Sequence, residues 1–322
     1  KALDALIARQ AKAGDEREFL DIAIAELDRL DPRPGEDEAL AEQRRFLQGA
    51  EGALSELTAA QDTLGEGGEF EERLTRALTG IERVRAKFGD SESRASKALQ
   101  LAAESLERAM LETNDAREAV GALCGAKPAN VIFTSGGSEA NNTVLRGIKA
   151  EHVLVSAIEH PSVLDAHPDA VRVPVGAYGA VDVDALEMLL QEIDSTVLVS
   201  VMAANNETGV IQPLDRVAEI VRAHNAKLHV DAVQAAGKID IRPVMALADV
   251  ISISAHKMNG PIGAGAIVVK DGVPFEPLIR GGGQERRRRA GTENVIAIAG
   301  FGAAAADAQS GLDAYANIAR LR

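Results

Sequence analysis

Through the first third of the chain, apolar residues return at steps of three and four. One set is Leu40, Leu47, Leu54, Leu57 and Leu64; the next is Phe70, Leu74, Ala77, Ile81, Val84 and Phe88; the last is Leu99, Leu106, Met110, Val120 and Cys124. This spacing puts an apolar stripe on each of several helices, the pattern of helices that pack on one another. Pro and Gly, which disfavour helix continuation, interrupt it at Asp31-Pro-Arg-Pro-Gly35 and Gly65-Glu-Gly-Gly68. Three or four long helices are predicted, joined by short turns as a coiled coil or bundle. From residue 121 the period changes. Short branched runs appear at 131–134, 152–156, 171–174, 196–201, 227–231, 250–254 and 264–269, several of them separated by helical spacing, as in 184–193 and 214–224. Strands alternating with helices predict an α/β fold with a mainly parallel, seven-stranded sheet covered on both faces. Ligands of such sheets bind beyond the carboxyl ends of the strands.

Charge changes at the same seam. Residues 1–120 hold 27 acidic and 17 basic side chains, against 22 and 18 in the remainder, and all six histidines (His152, His160, His167, His224, His229 and His256) lie in the second part. Any chemistry is therefore expected there. The acidic total argues against nucleic acid as a partner, because phosphate backbones are bound by clustered basic residues. Arg286 to Arg289 are the local exception: a charge run is ordinarily a solvated face, but its setting among glycines and polar residues favours an anion-facing loop, with Arg289 expected to point into the mouth of the site. Cys124 is the one cysteine, which excludes an internal disulfide framework and a cysteine-rich metal site. Its place on a helical apolar stripe predicts a buried packing role. Apolar runs such as VLVSVMAA are far shorter than the roughly 20 residues that cross a bilayer. No charged leader precedes an apolar core, so a cytoplasmic protein with no membrane partner is expected.

Four strand ends carry chemistry. After 131–134 comes Ser135-Gly-Gly-Ser-Glu-Ala-Asn-Asn142, where small residues and a following helix can hold a phosphate; a plain helix-capping turn is the other reading. Glu159-His160-Pro161 offers an imidazole that can stack on a planar ring, or simply hydrogen-bond. Asn206 and Gln234 can orient ring oxygens. Asp231 can hold a proton on a heterocyclic nitrogen, or cap the next helix. Ser254-Ala-His-Lys257 ends in a lysine which, beside an anion and an aspartate-bound ring, has the makings of a Schiff-base residue. A phosphate loop, an aspartate and a lysine at the ends of successive strands are what pyridoxal 5'-phosphate requires.

The ordered segments VIFTSGGSEANN, SAIEHPSVL, VMAANNETGVIQPL, HVDAVQAAGKI, SISAHKMNGPIGAGAIVV and GGGQERRRRAGTEN lie within about residues 115–300. Together they resemble the cysteine desulfurases of the class V aminotransferase group, which are fold type I pyridoxal-phosphate-dependent transferases and homodimers. The resemblance implies that Gly137 and Ser138 hold the cofactor phosphate, with further contacts from Ser254 and His256. His160 would stack on the ring and relay protons, Asn206 and Gln234 would face its 3-hydroxyl side, and Asp231 would pair with its nitrogen. Lys257 would form the internal aldimine, and Thr292 would reach the phosphate of the neighbouring subunit of a homodimer. The implied activity removes sulfur from L-cysteine through an aldimine and an enzyme persulfide, and passes it to a sulfur-acceptor or scaffold protein for iron-sulfur cluster assembly.

Departures accompany the resemblance. The family's nucleophilic cysteine lies beyond the GTEN segment, its N-terminal segment is replaced here by the helical region, Asn259 stands where an aromatic residue is usual, and Ile262 where lysine is common. The expectation is a truncated desulfurase-like chain that lacks that cysteine. Its expected parts are a helical region at 1–112, a pyridoxal-phosphate large domain at 113–300, and at 301–322 the start of a linking helix to an incomplete small domain. FLDIAIAELDRLDPRPGEDEALAEQRRFL resembles the coiled-coil arm of SMC-like bacterial DNA-repair ATPases over residues 15–110, without their nucleotide-binding motifs. The alternative function is a helical protein-interaction module carrying a catalytically inactive pyridoxal-phosphate-type domain.

Overall fold

The computed structural model describes residues 2–30, 33–65, 70–88 and 94–312. Residues 31–32 and 66–68 of the two predicted helix breaks, and 313–322 at the end of the predicted linking segment, lie outside the described residues. Four helices open the chain: α1 (Ala2–Leu30), α2 (Glu36–Gly65), α3 (Phe70–Phe88) and α4 (Arg94–Cys124). The described side chains of α1 are almost all exposed. The expected division at 112/113 falls inside α4, which runs unbroken through it.

On α3 and α4 Leu74, Ala77, Ile81, Val84, Leu99, Val120 and Cys124 of the predicted stripes are in the interior and Leu106 and Met110 are half-buried, while the side chains of Phe70 and Phe88 lie outside those described. On α2 the stripe is a correction. Leu40, Leu54 and Leu57 are exposed, and Ala53 and Ala60 are buried instead. A Cβ on Gly80 of α3 would already touch the Ala60 Cβ at 3.4 Å, so small residues let these two helices approach closely and leave the leucines on the outer face.

The α/β part follows as β1 (Val131–Thr134), α5 (Gly137–Gly147), β2 (His152–Ser156), α6 (Pro161–Leu164), β3 (Val171–Val173), α7 (Val183–Gln191), β4 (Val197–Ser200), α8 (Leu214–Ala223), β5 (Lys227–Asp231), α9 (Arg242–Leu247), β6 (Val250–Ser254), β7 (Gly265–Val269), α10 (Gln284–Arg287) and α11 (Val295–Ser310). The seven strands form one sheet in the order β1-β7-β6-β5-β4-β2-β3. All neighbouring pairs are parallel except those made by β7, which runs antiparallel to both β1 and β6. The predicted α/β class and mainly parallel sheet are thus observed.

Successive side chains of a strand point to opposite faces, and β1 shows the result. Val131 and Phe133 enter a large core beneath α4, α8 and α11, while Ile132 enters a second core beneath α5. Close packing of α11 on α4 depends on Gly302, where a Cβ would lie 2.4 Å from the Ala116 Cα.

Two buried ion pairs fasten the loop before α11 to the helices. Arg73 of α3 donates to Glu293 at 2.7 Å, and Arg117 of α4 donates to both oxygens of Glu285 at 2.9 and 3.1 Å. Arg117 also donates to the Val131 carbonyl at 2.7 Å and lies 4.7 Å from the centre of the Phe133 ring, while Glu285 accepts from the Phe133 N–H at 3.0 Å. Glu285, Arg286 and Arg287 all have φ between 47° and 63°, left-handed backbone that costs L residues about 1–2 kcal/mol each; the pinned Glu285 carboxylate offsets it. Removing one partner of such a pair leaves the other charge buried alone. Arg117→Met is therefore expected to destabilise the fold by about 3–5 kcal/mol, read by denaturant unfolding, and a loss below 1 kcal/mol would contradict this account.

His229 sits inside the sheet, with Nδ1 2.8 Å from the Ser200 hydroxyl and Nε2 2.9 Å from that of Ser252. Burial pushes its pKa down to about 3. An unfolded histidine binds a proton below about 6.5, whereas the folded one stays neutral down to about 3, so between those values acid favours the unfolded state. Its contribution should fall by about 1.4 kcal/mol per pH unit as pH drops below 6.5. Unfolding free energy measured at pH 7 and pH 5 should therefore converge in His229→Gln relative to wild type; equal pH slopes in the two proteins would rule this out.

Candidate active site

A parallel sheet presents the carboxyl ends of its strands at one edge, and here that edge opens into a cavity of about 530 Å³. Gly137, Ser138, His160, Asn206, Asp231, Gln234, Ser254, His256 and Lys257 all line it. Thr292 does not. It is exposed beside a second cavity of about 230 Å³, which shares Ser135 and Gly263 with the first.

Each wall has a local cause. Gly137 and Ser138 open α5, whose first-turn N–H groups have no partner within the helix. A Cβ on Gly137 would stand 2.9 Å from Val233 Cγ2, so glycine lets this turn lie against the end of β5. His160 caps α6: its Nδ1 accepts from the Ser162 N–H at 3.1 Å and lies 2.8 Å from the Ser162 hydroxyl, and Pro161 follows at the first helical position. Ser254 Oγ and His256 Nδ1 are 2.9 Å apart at the end of β6, and Lys257 sits on the 3₁₀ turn Ala255–Met258 that follows, exposed to the cavity.

Asp231 is buried at the end of β5. It accepts from the Val233 N–H at 2.9 Å and from the Asn141 amide at 2.7 Å. Burial raises its pKa, opposed by those two hydrogen bonds and by the charge of His160. The neighbouring Glu159 is also buried, with one oxygen accepting from the Met202 N–H at 2.5 Å. Burial and the nearby Asp231 push this carboxyl well above the usual range.

Sequence reasoning missed several of these groups. Asn141 bridges Asp231 and, at 2.9 Å, the Ser162 hydroxyl. Its signal was a polar residue four positions before Leu145 on the face that α5 buries. Arg289 differs from expectation: rather than entering the mouth, it donates to Glu139 at 2.8 and 3.2 Å in the wall between the two cavities. Burial raises the Glu139 carboxyl, but hydrogen bonds from Arg289 and Ser135 outweigh it and the net shift is downward. Arg286 donates to the Ala129 carbonyl at 3.2 Å. Cys124 is fully buried in the core, as expected, and its thiol is pushed up to about 12. Ile262, largely exposed, takes a place in the cavity lining. Among the described residues no group of three or more His, Cys, Asp or Glu is placed to hold a metal ion, and no helix is long and apolar enough to cross a membrane.

Pyridoxal 5'-phosphate fits these residues. The volume is that of a small-ligand site, and free N–H groups at a helix start suit a phosphate. The buried Asp231 carboxyl has only neutral hydrogen-bond donors, the Asn141 amide and the Val233 N–H, which suits it to a protonated ring nitrogen. Sheet and site together define a fold type I pyridoxal-phosphate protein. The Aminotransferase class-V family matches residues 81–319, and the chain belongs to it.

Within that family the chain is cysteine-desulfurase-like. It is 46% identical over 206 residues to a cysteine desulfurase of Sinorhizobium fredii, covering 60% of this chain and 53% of the relative. It is 40% identical over 203 residues to the cysteine desulfurase IscS of Dictyoglomus turgidum, covering 59% and 51%. The chain thus spans about half the length of the curated relatives it matches. Among solved structures, a NifS-like protein of Rickettsia africae aligns with TM-score 0.60 at 30% identity, over 72% of this chain and 66% of that one. DndA of Streptomyces lividans aligns with TM-score 0.59 at 34% identity, over 75% and 70%. The family match starts at residue 81, inside α3, and takes in part of the stretch that resembles an SMC-like arm; neither the fold nor these relatives supports kinship with that arm.

The cavity edge leaves no space beside β7. A Cβ on Gly265 would stand 2.6 Å from the Gly136 carbonyl carbon and 2.7 Å from its Cα. Gly265→Ala should therefore displace the 135–138 turn and cost about 1–3 kcal/mol; a calorimetric melting temperature equal to wild type would show that the turn yields freely.

Proposed function

We propose that the chain carries the cofactor domain of a cysteine desulfurase, with residues 113–300 as that domain, α11 leading onward from it and 1–112 as a helical appendage. The carrying observation is the convergence of Asp231, Lys257 and the Gly137–Ser138 turn on one cavity. When bound, pyridoxal 5'-phosphate supplies an aldehyde that condenses with amines and a ring that accepts electron density.

The places of these side chains in the cavity support the following roles. Gly137, Ser138, Ser254 and His256 hold the phosphate. Asp231 keeps a proton on the ring nitrogen, and Asn141 and the Val233 N–H hold that carboxylate in place. His160 would lie against the ring, while Asn206 and Gln234 would address its hydroxyl oxygen. Lys257 Nζ would be the amine that holds the cofactor aldehyde and, when free, the base placed to take the proton from the α-carbon of L-cysteine. Sulfur transfer needs a thiolate. Cys124 cannot supply it, because it is buried and its thiol titrates near 12.

On this reading a thiolate other than Cys124 attacks the sulfur of L-cysteine, the substrate C–S bond breaks to leave alanine, and the sulfur is held as a persulfide for delivery to an acceptor or scaffold protein in iron-sulfur assembly. The protein is cytoplasmic and works as a homodimer, with Thr292 turned to the partner's phosphate site. Support for that role is the exposure of Thr292 outside the principal cavity. The test is an absorption spectrum with added pyridoxal 5'-phosphate. A visible band that vanishes in Lys257→Ala and shifts on addition of L-cysteine is the expected result. A spectrum of free cofactor only, unchanged by Lys257→Ala, would leave the helical interaction module as the better reading.

A further inference from the structure

Lys238 belongs to none of the roles above, yet it joins two of the walls. It lies on the turn after β5, four residues beyond Gln234. Its Nζ donates to the Gln234 carbonyl at 3.1 Å, reaches the Gln234 side-chain oxygen at 3.5 Å, and donates to the Lys257 carbonyl at 3.1 Å. A lysine ammonium has three N–H donors, and these three acceptors account for all of them. The β5 turn and the Lys257 turn are also in contact beneath it. Gly237 has φ 74°, and a Cβ there would lie 3.0 Å from the Met258 Cβ and 3.1 Å from the Ala308 Cβ.

We propose that Lys238 is a positioning residue: a cationic clasp that fixes the main chain of Lys257 against Gln234, so that the amine and the carboxamide address the cavity from set positions. The inference rests on the reading of Lys257 as the cofactor-anchoring lysine. Its geometry has a plain logic. The Lys257 side chain must remain free in the cavity, so the residue can be held only through its backbone, and the clasp grips that carbonyl. Bonds from a charged donor are the stronger kind. Burial lowers the Lys238 pKa, and the charge of Lys257 lowers it further, as expected of two lysines brought to one edge. An uncharged residue could fill the space but would release both carbonyls.

The test compares Lys238→Met with Lys238→Arg in the full chain, by two readouts. In cofactor-free protein, hydrogen–deuterium exchange of the peptide containing residues 255–260 should speed up by about tenfold in Lys238→Met, as loss of one charge-assisted bond implies, while exchange in β4 and β5 stays at wild-type rates. With pyridoxal 5'-phosphate added, the Met variant should bind about tenfold more weakly and show a smaller visible circular dichroism per bound cofactor. Lys238→Arg, which keeps the charge and the donors, should restore both. Unchanged exchange at 255–260 in Lys238→Met, or an Arg variant as impaired as the Met variant, would overturn the proposal. If Lys238→Met does not fold, Lys238→Ala takes its place under the same criteria. A wild-type protein with no Lys257-dependent band would sink the cofactor reading alone, because the exchange measurement judges the clasp without cofactor.

Discussion

Parallel pairing governs this molecule. Because β1, β2, β4, β5 and β6 all run the same way, their carboxyl ends meet at one edge, and the turns that leave them are forced to share one cavity. The single reversed strand, β7, completes the arrangement rather than disturbing it. It enters from the cavity edge between β1 and β6, with Gly265 paired to both Thr134 and Ser254, so that Ile262 and Gly263 join the lining. Two cores cover the faces of the sheet, so the strands are largely apolar apart from such residues as His229 and Ser252, and the polar cargo is concentrated at the ends.

The interior treats its charges in two ways, and the difference separates structure from chemistry. An isolated buried charge costs several kcal/mol unless it is paired or neutralised. Arg73 with Glu293 and Arg117 with Glu285 are paired, and they fasten the helices to the loop that leads into α11. His229 solves the problem by staying neutral between two hydroxyls. Asp231 is held by an amide and a backbone N–H, both neutral, at the end of a cavity. On the proposed reading, that carboxylate receives the cation a bound cofactor brings.

Much of the architecture was legible in the residue pattern. The strand runs matched the observed strands to within a residue or two at each end, because a branched run between turn residues is a local signal. The cavity-edge residues were legible for the same reason: they directly follow those runs. The packing of α2 was not. Its leucine stripe was the stronger hydrophobic signal, but close approach to α3 is set by the small residues Ala53, Ala60 and Gly80, which carry little weight in a periodicity. Arg289 was read as free to meet a ligand because its partner Glu139 is 150 residues away along the chain.

By itself, then, the sequence determined the periods of the elements, the order in which they follow one another, and the residue types placed at each strand end, all of which depend on neighbours a few positions apart. Only the tertiary structure decided which polar and charged groups meet. Asn141 and Asp231 stand 90 residues apart, and Arg117 and Glu285 stand 168 apart. Such pairs have no local signature, because their distance is fixed only when the sheet order and the packing of α4 and α11 bring separate segments into register.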